Sequence, residues 1–363
     1  MKKIQECSKA IAEAVKLCNP DVISAYPITP QTRVIERLAD FVDGGILNSE
    51  IIYVESEHSA MSACIGASAT GSRVFTATCS QGLALMNEML FVAAGLRLPI
   101  VMVNVNRSLS APINIWNDQQ DSISARDSGW IQLYVESTQE AYDTVFQAYK
   151  IAESLNIPVM VCLDGFILSH IYEPFEPIEN IKKFLPDFKP KFKLDPKAPI
   201  TIGPVATPEH YMEIRESLHQ DLIKSKETIK KINLEFNKIY KRKYGDGLIE
   251  IINPKAKTAF VAAGTVCGTI REFIKNKNIG LIKLKCFRPF PTEELQKATK
   301  NIKNLIIIDK DISLGQQGTF YSEIKDALYN PKIKIQSCIA GLGGRDITLK
   351  HLDEALRGKK WLK

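Results

Sequence analysis

The sequence predicts an α/β protein with two parallel sheets joined by a long connection. Continuous apolar segments such as Pro99–Asn104 and Pro158–Asp164 alternate with segments of helical periodicity, a pattern typical of a parallel sheet covered on both faces. Between two such regions, prolines recur from residue 174 to residue 208, and a highly charged helical segment follows. A chain of 363 residues, 45% of them hydrophobic, is long enough for two or three domains. We therefore expect domains at residues 1–172 and 255–363 and a connection at 173–254.

The first region shows the clearest periodicity. Ala14, Val15 and Cys18 recur at helical spacing, and a pair of glycines after residue 43 ends the second helix. About thirty residues after Asn104 carry no such repeat, and a loop of that length in a compact domain usually has a function. The predicted strands are Val22–Tyr26, Ile51–Val54, Val74–Ala77, Pro99–Asn104 and Pro158–Asp164, and the predicted helices are Ile4–Cys18, Gln31–Val42, Glu57–Ala69, Leu83–Ala94 and Thr138–Ser154.

The second region repeats the alternation after a long charged helix, Glu209–Tyr244, which we expect on the surface between the two domains. Glycine-rich or proline-rich turns separate its apolar segments and lead into helices. The predicted strands are Thr258–Ala263, Gly280–Lys285, Leu305–Asp309 and Ile333–Ile339, with helices after Gly264–Gly268, Phe287–Pro291 and Gly315–Gly318 and at His351–Leu356.

Composition and charge exclude several classes of function. The net charge of +6 comes from lysines and arginines scattered among 41 acidic residues, so no nucleic-acid-binding stripe is indicated. No apolar run reaches the length of a membrane span, and the basic start is followed by acidic residues rather than by the apolar core of a signal peptide. We expect a cytoplasmic protein. The eight cysteines form no C-x-x-C pair, which predicts buried free thiols and no zinc or iron–sulfur site on this chain.

The stretch from Tyr26 to Thr32 is a predicted strand-to-helix turn. Thr29 stands where an N-cap residue belongs and Pro30 where the first helical residue belongs. The N–H groups and the positive dipole end of the following helix would then face an anion. Local chemistry leaves two interpretations equal, an anion site and a well-capped turn that binds nothing.

Five stretches, in order along the chain, resemble the 2-oxoacid:ferredoxin oxidoreductases. They are Tyr26-Pro27-Ile28-Thr29-Pro30, Glu55-Ser56-Glu57-His58-Ser59-Ala60, Ser80-Gln81-Gly82-Leu83, Asn106-Arg107-Ser108-Leu109-Ser110-Ala111-Pro112 and Gly341-Leu342-Gly343-Gly344-Arg345-Asp346. The chain resembles, nearly end to end, the alpha subunit of multi-subunit pyruvate:ferredoxin oxidoreductases. That resemblance implies a pyrimidine-binding-type thiamine diphosphate domain followed by a transketolase C-terminal-like α/β domain.

The resemblance also implies roles for three residues. Glu57 matches the glutamate that hydrogen-bonds the aminopyrimidine ring of thiamine diphosphate and favours the tautomer that takes a proton from the thiazolium carbon. Arg107 matches the arginine that binds the substrate carboxylate, a task suited to a bidentate guanidinium. Thr29 would hydrogen-bond the same carboxylate or the adjacent carbonyl oxygen. The residues themselves leave other interpretations open: Glu57 as a first-turn helix charge, Arg107 as a solvated loop residue, Glu55 as the rival carboxylate and His58 as a supporting group.

The loop after Arg107 is expected to set substrate preference. Ile113 and Trp116 could wall a small pocket that suits the methyl group of pyruvate, or could anchor the loop to the core, and the sequence leaves both open. No second cation adjoins Arg107, although Arg126 is uncommitted, which disfavours 2-oxoglutarate. A branched-chain 2-oxoacid is the nearer alternative to pyruvate.

The resemblance implies an oxidoreductase that works only with partner subunits. Such an enzyme decarboxylates pyruvate on thiamine diphosphate, transfers the acetyl group to coenzyme A and passes electrons through iron–sulfur clusters to ferredoxin. The thiamine diphosphate would be shared with a beta subunit that holds its Mg²⁺, and the [4Fe–4S] clusters would lie on partner subunits among the beta, gamma and delta chains. The alternative from another class is a non-catalytic scaffold subunit of a thiamine enzyme.

Two glycine motifs are expected to bind nothing. Gly245-Asp246-Gly247 resembles the start of the thiamine diphosphate metal motif but lacks the paired asparagines that should follow, so we predict a turn. The run Gly341–Gly344 lacks the spacing of a dinucleotide loop. A nucleotide-binding oxidoreductase is therefore a weaker alternative.

Overall fold

The computed structural model describes residues 2–363, and most predicted strands and helices are confirmed to within one or two residues. The strands are β1 (Lys3–Glu6), β2 (Val22–Ala25), β3 (Glu50–Tyr53), β4 (Val74–Thr78), β5 (Val101–Asn106), β6 (Ile131–Tyr134), β7 (Val159–Asp164), β8 (Tyr172–Phe175), β9 (Ile249–Ile252), β10 (Thr258–Ala262), β11 (Ile279–Leu284), β12 (Cys286–Arg288), β13 (Asn304–Asp309), β14 (Lys334–Ala340) and β15 (Trp361–Leu362). The helices are α1 (Cys7–Cys18), α2 (Thr32–Asp43), α3 (Glu57–Ala69), α4 (Ser80–Leu85), α5 (Asn87–Gly95), α6 (Gln120–Ser124), α7 (Thr138–Leu155), α8 (Pro208–Tyr240), α9 (Val266–Ile274), α10 (Thr292–Ala298), α11 (Thr319–Leu328) and α12 (Leu349–Leu356).

The first sheet places a crevice beside β2. Its strand order is β12-β6-β7-β5-β4-β2-β3, and all neighbours are parallel except β12, which is antiparallel to β6. From β2 the chain moves to β3 on one side, and it then returns to β4 on the other side. The strand order therefore reverses at the β2–β4 boundary, and open parallel sheets bind ligands at the carboxyl ends of the strands where such a reversal occurs.

The second sheet has the order β15-β14-β13-β10-β11-β9. Its edge strand β9 is antiparallel to β11 and lies in the stretch predicted as connection, because a short, half-exposed edge strand has a weak apolar pattern. In the other direction, β12 follows the second region's β11 in sequence but pairs with β6 of the first sheet. Backbone pairing therefore crosses the proposed boundaries at residues 172 and 254.

Three further predictions are wrong in detail. The first helix begins at Cys7 rather than Ile4, because β1 pairs with β8 in an antiparallel ribbon. The loop after β5 is not structureless, since it contains α6 and the fully buried β6. The predicted helix Leu83–Ala94 is two helices, α4 and α5, that meet at Met86. In each case the element is decided by a partner distant in sequence, or it is too short to give a periodic pattern.

Buried ion pairs hold the two regions together. Glu140 in α7 accepts hydrogen bonds from Lys283 and Lys285, at 2.5 and 2.9 Å, and none of the three side chains is more than 2% exposed. Burial would raise the pKa of Glu140, but the two ammonium groups outweigh it and lower that pKa to about 2. The ionised carboxylate thus fixes α7 of the first region against β11 of the second.

Candidate active site

Two turns bound the crevice at the β2–β4 boundary. One follows β2 and runs from Tyr26 to Gln31, and the other, called here the turn after β4, consists of Cys79 and the first turn of α4 up to Gly82. The side-chain amide of Gln31 donates to the carbonyl of Ala77 at 2.8 Å. The thiol of Cys79 donates to the carbonyl of Thr29 at 3.1 Å. These bonds fix the two turns relative to each other.

Thr29 is not the N-cap of α2, contrary to the prediction. The helix begins at Thr32, and the carbonyl of Ile28 accepts the N–H groups of Gln31 and Thr32, at 2.8 and 3.2 Å. A tight turn therefore precedes the helix and uses N–H groups that an anion would need. The exposed Thr29 instead contributes its carbonyl, which accepts a hydrogen bond from Arg107 at 2.9 Å.

Arg107 is held by backbone carbonyls. Its Nη1 donates to Thr29 at 2.9 Å, and its Nε donates to the carbonyl of Asn114 at 3.1 Å. A guanidinium has five N–H donors. These two bonds use two of them, so three remain unused within residues 2–363. A cation in a fixed orientation with unused donors can bind a carboxylate. The structure thus brings two of the three predicted site residues, Thr29 and Arg107, into direct contact.

Glu57 is the first residue of α3 and is nearly buried. The side chain of Ser56 accepts the N–H of Ser59 at 3.3 Å and so caps the helix, which fixes Glu57 in the first turn. The residue is 6% exposed, and burial raises the pKa of its carboxyl group. Within the described chain, no other residue donates a hydrogen bond to that carboxyl. Burial therefore shifts the Glu57 carboxyl toward its protonated form, and the carboxyl keeps unused hydrogen-bonding capacity.

The Glu57 carboxyl lies against Gly82. Within residues 2–363 no hydrogen bond joins it to Arg107. A Cβ atom at Gly82 would lie 2.6 Å from Oε1 of Glu57 and 2.8 Å from its Cγ, so the carboxyl group lies directly against the turn after β4. That turn also carries Cys79, which bonds to Thr29. Glu57 and the contact between Thr29 and Arg107 are therefore linked through the turn after β4.

The neighbours of Glu57 have other partners. Glu55 is exposed and accepts a hydrogen bond from the hydroxyl of Ser59 at 2.5 Å. The Nε2 atom of His58 lies 3.6 Å from a carboxylate oxygen of Glu88, and both side chains are exposed. Glu57 is thus the buried carboxyl of this motif.

The loop after Arg107 packs against the glycine run Gly341–Gly344. The amide of Asn114 donates to the carbonyl of Gly343 at 3.1 Å, and the N–H of Gly343 donates to the carboxyl of Asp118 at 3.1 Å. Burial raises the pKa of Asp118 to about 7. The glycine run is therefore a contact surface for the loop.

The apolar residues of this loop are exposed. Ile113 is 82% exposed and Trp116 is 51% exposed. The Trp116 ring lies 6.3 Å from the ring of Phe166, and Gly344, at φ +82°, has no Cβ to collide with it. Ile113 is thus not a core anchor, and the apolar pocket predicted for the substrate is not closed within this chain.

Asp121 is a buried carboxyl at this place that the sequence analysis did not single out. Its Oδ2 accepts the N–H groups of Ser80 and Arg107, at 2.9 and 3.0 Å, and its Oδ1 accepts the amide of Asn106 at 2.6 Å. Burial raises the pKa of Asp121, whereas these donors stabilise its ionised form. Aspartates are common in loops, so no local pattern singles this one out. Its buried position follows from α6, a helix that the sequence did not predict.

The remaining motifs are used by the fold. Arg126 lies 3.4 Å from the carboxylate of Glu323. The Asp246 carboxylate accepts the N–H of Ile249 at 2.8 Å, which confirms a turn at Gly245–Gly247. All eight cysteines are buried free thiols, as predicted. Residues 2–363 contain no group of three or more His, Cys, Asp or Glu side chains arranged to hold a metal ion. None of the helices in that range is long and apolar enough to span a bilayer.

Comparison with known proteins assigns this arrangement to a family. The model of the thiamine diphosphate-binding domain of pyruvate flavodoxin/ferredoxin oxidoreductases matches residues 13–234. The model of core domain II of pyruvate:ferredoxin oxidoreductases matches residues 256–352. The chain therefore belongs to the pyruvate:ferredoxin oxidoreductase family, a family of oxidoreductases. The predicted α/β fold class, with a thiamine diphosphate-type domain first, is confirmed.

Individual relatives are similar over nearly the whole chain. Pyruvate synthase subunit PorA of Methanocaldococcus jannaschii is 54% identical over 96% of this chain and 92% of its own length. PorA of Pyrococcus abyssi is 48% identical over 98% and 93%, and ketoisovalerate oxidoreductase subunit VorA of Pyrococcus horikoshii is 45% identical over 97% and 92%.

A solved structure shares the fold. The 2-oxoglutarate:ferredoxin oxidoreductase of Magnetococcus marinus, with 2-oxoglutarate, coenzyme A and succinyl-CoA bound, superposes with a TM-score of 0.73 at 20% identity. The match covers 98% of this chain and 65% of that longer chain.

Proposed function

We propose that this chain is the alpha-type subunit of a pyruvate synthase and supplies one wall of its active site through Glu57, Thr29 and Arg107. The enzyme would convert pyruvate and coenzyme A to acetyl-CoA and CO₂ while it reduces ferredoxin. The observation that carries the proposal is the Arg107 guanidinium held against Thr29, with unused donors, at the same crevice as the buried carboxyl of Glu57. Similarity to PorA subunits over more than nine-tenths of the chain supports pyruvate as the substrate.

The residues at the crevice fit thiamine diphosphate. Burial raises the pKa of Glu57, and the carboxyl accepts no hydrogen bond from another residue of the described chain, so when protonated it could donate to a ring nitrogen of an aminopyrimidine. Gly82 supports the fit, because a Cβ there would fill the space that the carboxyl occupies. Thiamine diphosphate, when bound, supplies the electron sink that decarboxylation of a 2-oxoacid needs. Glu57 would hold the proton that sets the state of the ring.

Arg107 and Thr29 would orient the substrate. The unused N–H groups of Arg107 suit the carboxylate of a 2-oxoacid, and the two carbonyls that bind the guanidinium keep it from rotating. The Thr29 hydroxyl would donate to the same carboxylate or to the neighbouring carbonyl oxygen. Fixing the carboxylate in this way orients the carbon–carbon bond that breaks.

Partner subunits would complete the site. We assign the diphosphate group and its Mg²⁺ to a beta subunit, and the [4Fe–4S] clusters to partners among the beta, gamma and delta subunits. Burial raises the pKa of the thiols of Cys7 and Cys64 to about 12, which disfavours the thiolates that a cluster requires. The exposed Ile113 and Trp116 offer apolar surface for a partner to cover.

Replacement of Gly82 tests the position of Glu57. We expect Gly82→Ala to push both the Glu57 carboxyl and the Thr78 hydroxyl aside, because the new Cβ would lie 2.6 Å from Oε1 of Glu57 and still closer to Oγ1 of Thr78. In the assembled enzyme kcat/KM for pyruvate should fall by about 10- to 100-fold. Coenzyme A-dependent reduction of a viologen dye measures this loss.

Gly66→Ala is the matched control. Gly66 lies within α3, and a Cβ atom there would meet nothing within 4 Å. The substitution should leave activity unchanged and stabilise the helix by up to about 1 kcal/mol. Equal activity of the two variants would contradict a role for Gly82 in positioning Glu57.

The substrate is tested on the complex that this chain forms in its own host. The chain carries an affinity tag, oxygen is excluded, and dye reduction is followed with coenzyme A and each of pyruvate, 2-oxoisovalerate and 2-oxoglutarate. Activity with pyruvate in a complex that contains iron–sulfur chains supports the proposal. Preference for 2-oxoisovalerate would favour the second candidate, a branched-chain enzyme, which the similarity to VorA keeps open. An intact complex inactive with all three acids would leave the scaffold alternative.

A further inference from the structure

We propose that Asp121 is a positioning residue that keeps Arg107 in register with the turn that supports Glu57. The inference rests on the proposed function, since it assigns the binding of the substrate carboxylate to Arg107. Asp121 itself is fully buried. Within residues 2–363 it bonds neither to the Glu57 carboxyl nor to the guanidinium of Arg107. It acts through the backbone of the two segments that carry them.

A single oxygen atom of Asp121 joins both segments. Its Oδ2 accepts the N–H of Ser80, in the turn after β4, at 2.9 Å and the N–H of Arg107, just after β5, at 3.0 Å. The turn after β4 continues to Gly82, which lies against the Glu57 carboxyl. A shift of this oxygen therefore changes the distance between the substrate side and the cofactor side of the crevice.

In its remaining contacts too, the carboxylate of Asp121 only accepts hydrogen bonds. The amides of Asn104 and Asn106 donate to it at 3.2 and 2.6 Å, and the N–H of Ser122 donates at 2.7 Å. Together with the two backbone groups above, every recorded partner is a donor, so an ionised carboxylate satisfies all of them. An asparagine would present an NH₂ group to at least one of these donors.

The backbone of Ser80 shows why such an anchor is needed. Ser80 has φ +49°, a left-handed conformation that costs a residue with a Cβ free energy unless its surroundings impose it. Asp121 binds its N–H, and its hydroxyl donates to the carbonyl of Ser108 at 2.5 Å. The strained turn after β4 is thus held from the Arg107 segment at two points.

The test compares Asp121→Asn with Asp143→Asn in the assembled enzyme. Asp143 is also fully buried, but its partners are Arg242 and Tyr244, at 2.6 and 2.5 Å, and not residues of the crevice. We expect Asp121→Asn to raise KM for pyruvate and to lower kcat/KM by about 10- to 100-fold. Asp143→Asn should lower stability and leave KM unchanged. Equal effects of the two variants on KM would overturn the inference.

A double-variant cycle separates positioning from general damage. In an Arg107→Ala background the guanidinium that Asp121 positions is gone, so adding Asp121→Asn should lower kcat/KM by clearly less than in the parental enzyme, leaving only its effect on the turn beside Glu57. A full 10- to 100-fold further loss there would overturn the inference. The single variant Arg107→Ala keeps the two ideas distinct. If it leaves KM for pyruvate unchanged, the proposed function fails. If it raises KM while Asp121→Asn does not, only the positioning role fails.

Asn104→Ala serves if Asp121→Asn does not assemble. It removes one donor to Oδ2 at 3.2 Å and keeps the carboxylate, and its own carboxamide oxygen is buried without a partner. We expect KM for pyruvate to rise by about 3- to 10-fold, and an unchanged KM would count against the inference. Restoration of the parental KM by Asn104→Asp would also count against it, because a second carboxylate beside Asp121 would repel it.

Discussion

We expect Glu57→Gln to abolish nearly all turnover of the assembled enzyme while the complex still forms. The amide keeps the shape of the side chain but cannot gain or lose a proton as a carboxyl group can, and burial raises the pKa of that carboxyl. Loss of a positioned acid–base group lowers rates by about 10²- to 10⁴-fold. Coenzyme A-dependent dye reduction with pyruvate measures the loss, and size-exclusion chromatography of the complex measures assembly.

Glu55→Gln is the control for this substitution. Glu55 lies two residues away, and its replacement is the same chemical change. Unlike Glu57, it is exposed and bonds to Ser59. Its replacement should leave activity unchanged. A scaffold subunit would tolerate both substitutions, and a larger loss from Glu55→Gln would assign the acid–base role to the rival carboxylate.

We expect Glu140→Ala to cause the largest loss of stability. The substitution leaves Lys283 and Lys285 buried, at 1% and 2% exposure, without the carboxylate that both contact. Breaking a buried pair in this way costs about 3–5 kcal/mol, because the remaining charges stay out of water. Denaturant unfolding of the purified chain measures the change.

Two companion variants show whether unpaired charge is the cause. Replacing Glu140, Lys283 and Lys285 together by Leu, Met and Met removes the charges with the pair, so most of the stability should return. Glu272→Gln breaks an exposed pair with Lys275 and should cost less than about 1 kcal/mol. If the triple variant is as unstable as Glu140→Ala, the loss comes from packing and not from charge.

The contacts of Glu140 with Lys283 and Lys285 predict that the fold is sensitive to acid. The pKa of Glu140 is lowered to about 2 from an ordinary value of 4.5. A carboxyl whose folded-state pKa is depressed stabilises the fold above its unfolded value and loses that contribution as the pH falls through the folded value. This part of the stability is therefore complete above about pH 4.5 and lost toward about pH 2.

Local signals predicted the fold well where they were complete. The helix Glu57–Ala69 matches its predicted bounds, because Ser56 caps it and small apolar residues continue it. The parallel strands are apolar throughout and were equally visible. Errors arose where distant pairing decides the structure, as at β1, β9 and β12, whose partners lie far away in sequence.

The resemblance selected Thr29, Glu57 and Arg107 as candidate site residues, but the contacts among them could not be predicted from the sequence. Thr29 and Arg107 are in direct contact, and Glu57 lies against the turn after β4 that bonds to Thr29. The capping role given to Thr29 was wrong, because the carbonyl of Ile28 takes up the N–H groups at the helix start. Asp121 was missed, since its partners come together only when β4, β5 and α6 are packed.

The central claim is that this chain supplies half of an active site whose other half lies on partner subunits. The most direct measurement is pyruvate turnover by the purified chain loaded with thiamine diphosphate and Mg²⁺, before and after anaerobic addition of the partner subunits. The account predicts no coenzyme A-dependent dye reduction by the chain alone, full activity on reconstitution, and loss of that activity when the added-back chain carries Glu57→Gln. Turnover by the isolated chain, or full activity of a complex reconstituted with the variant, would contradict it.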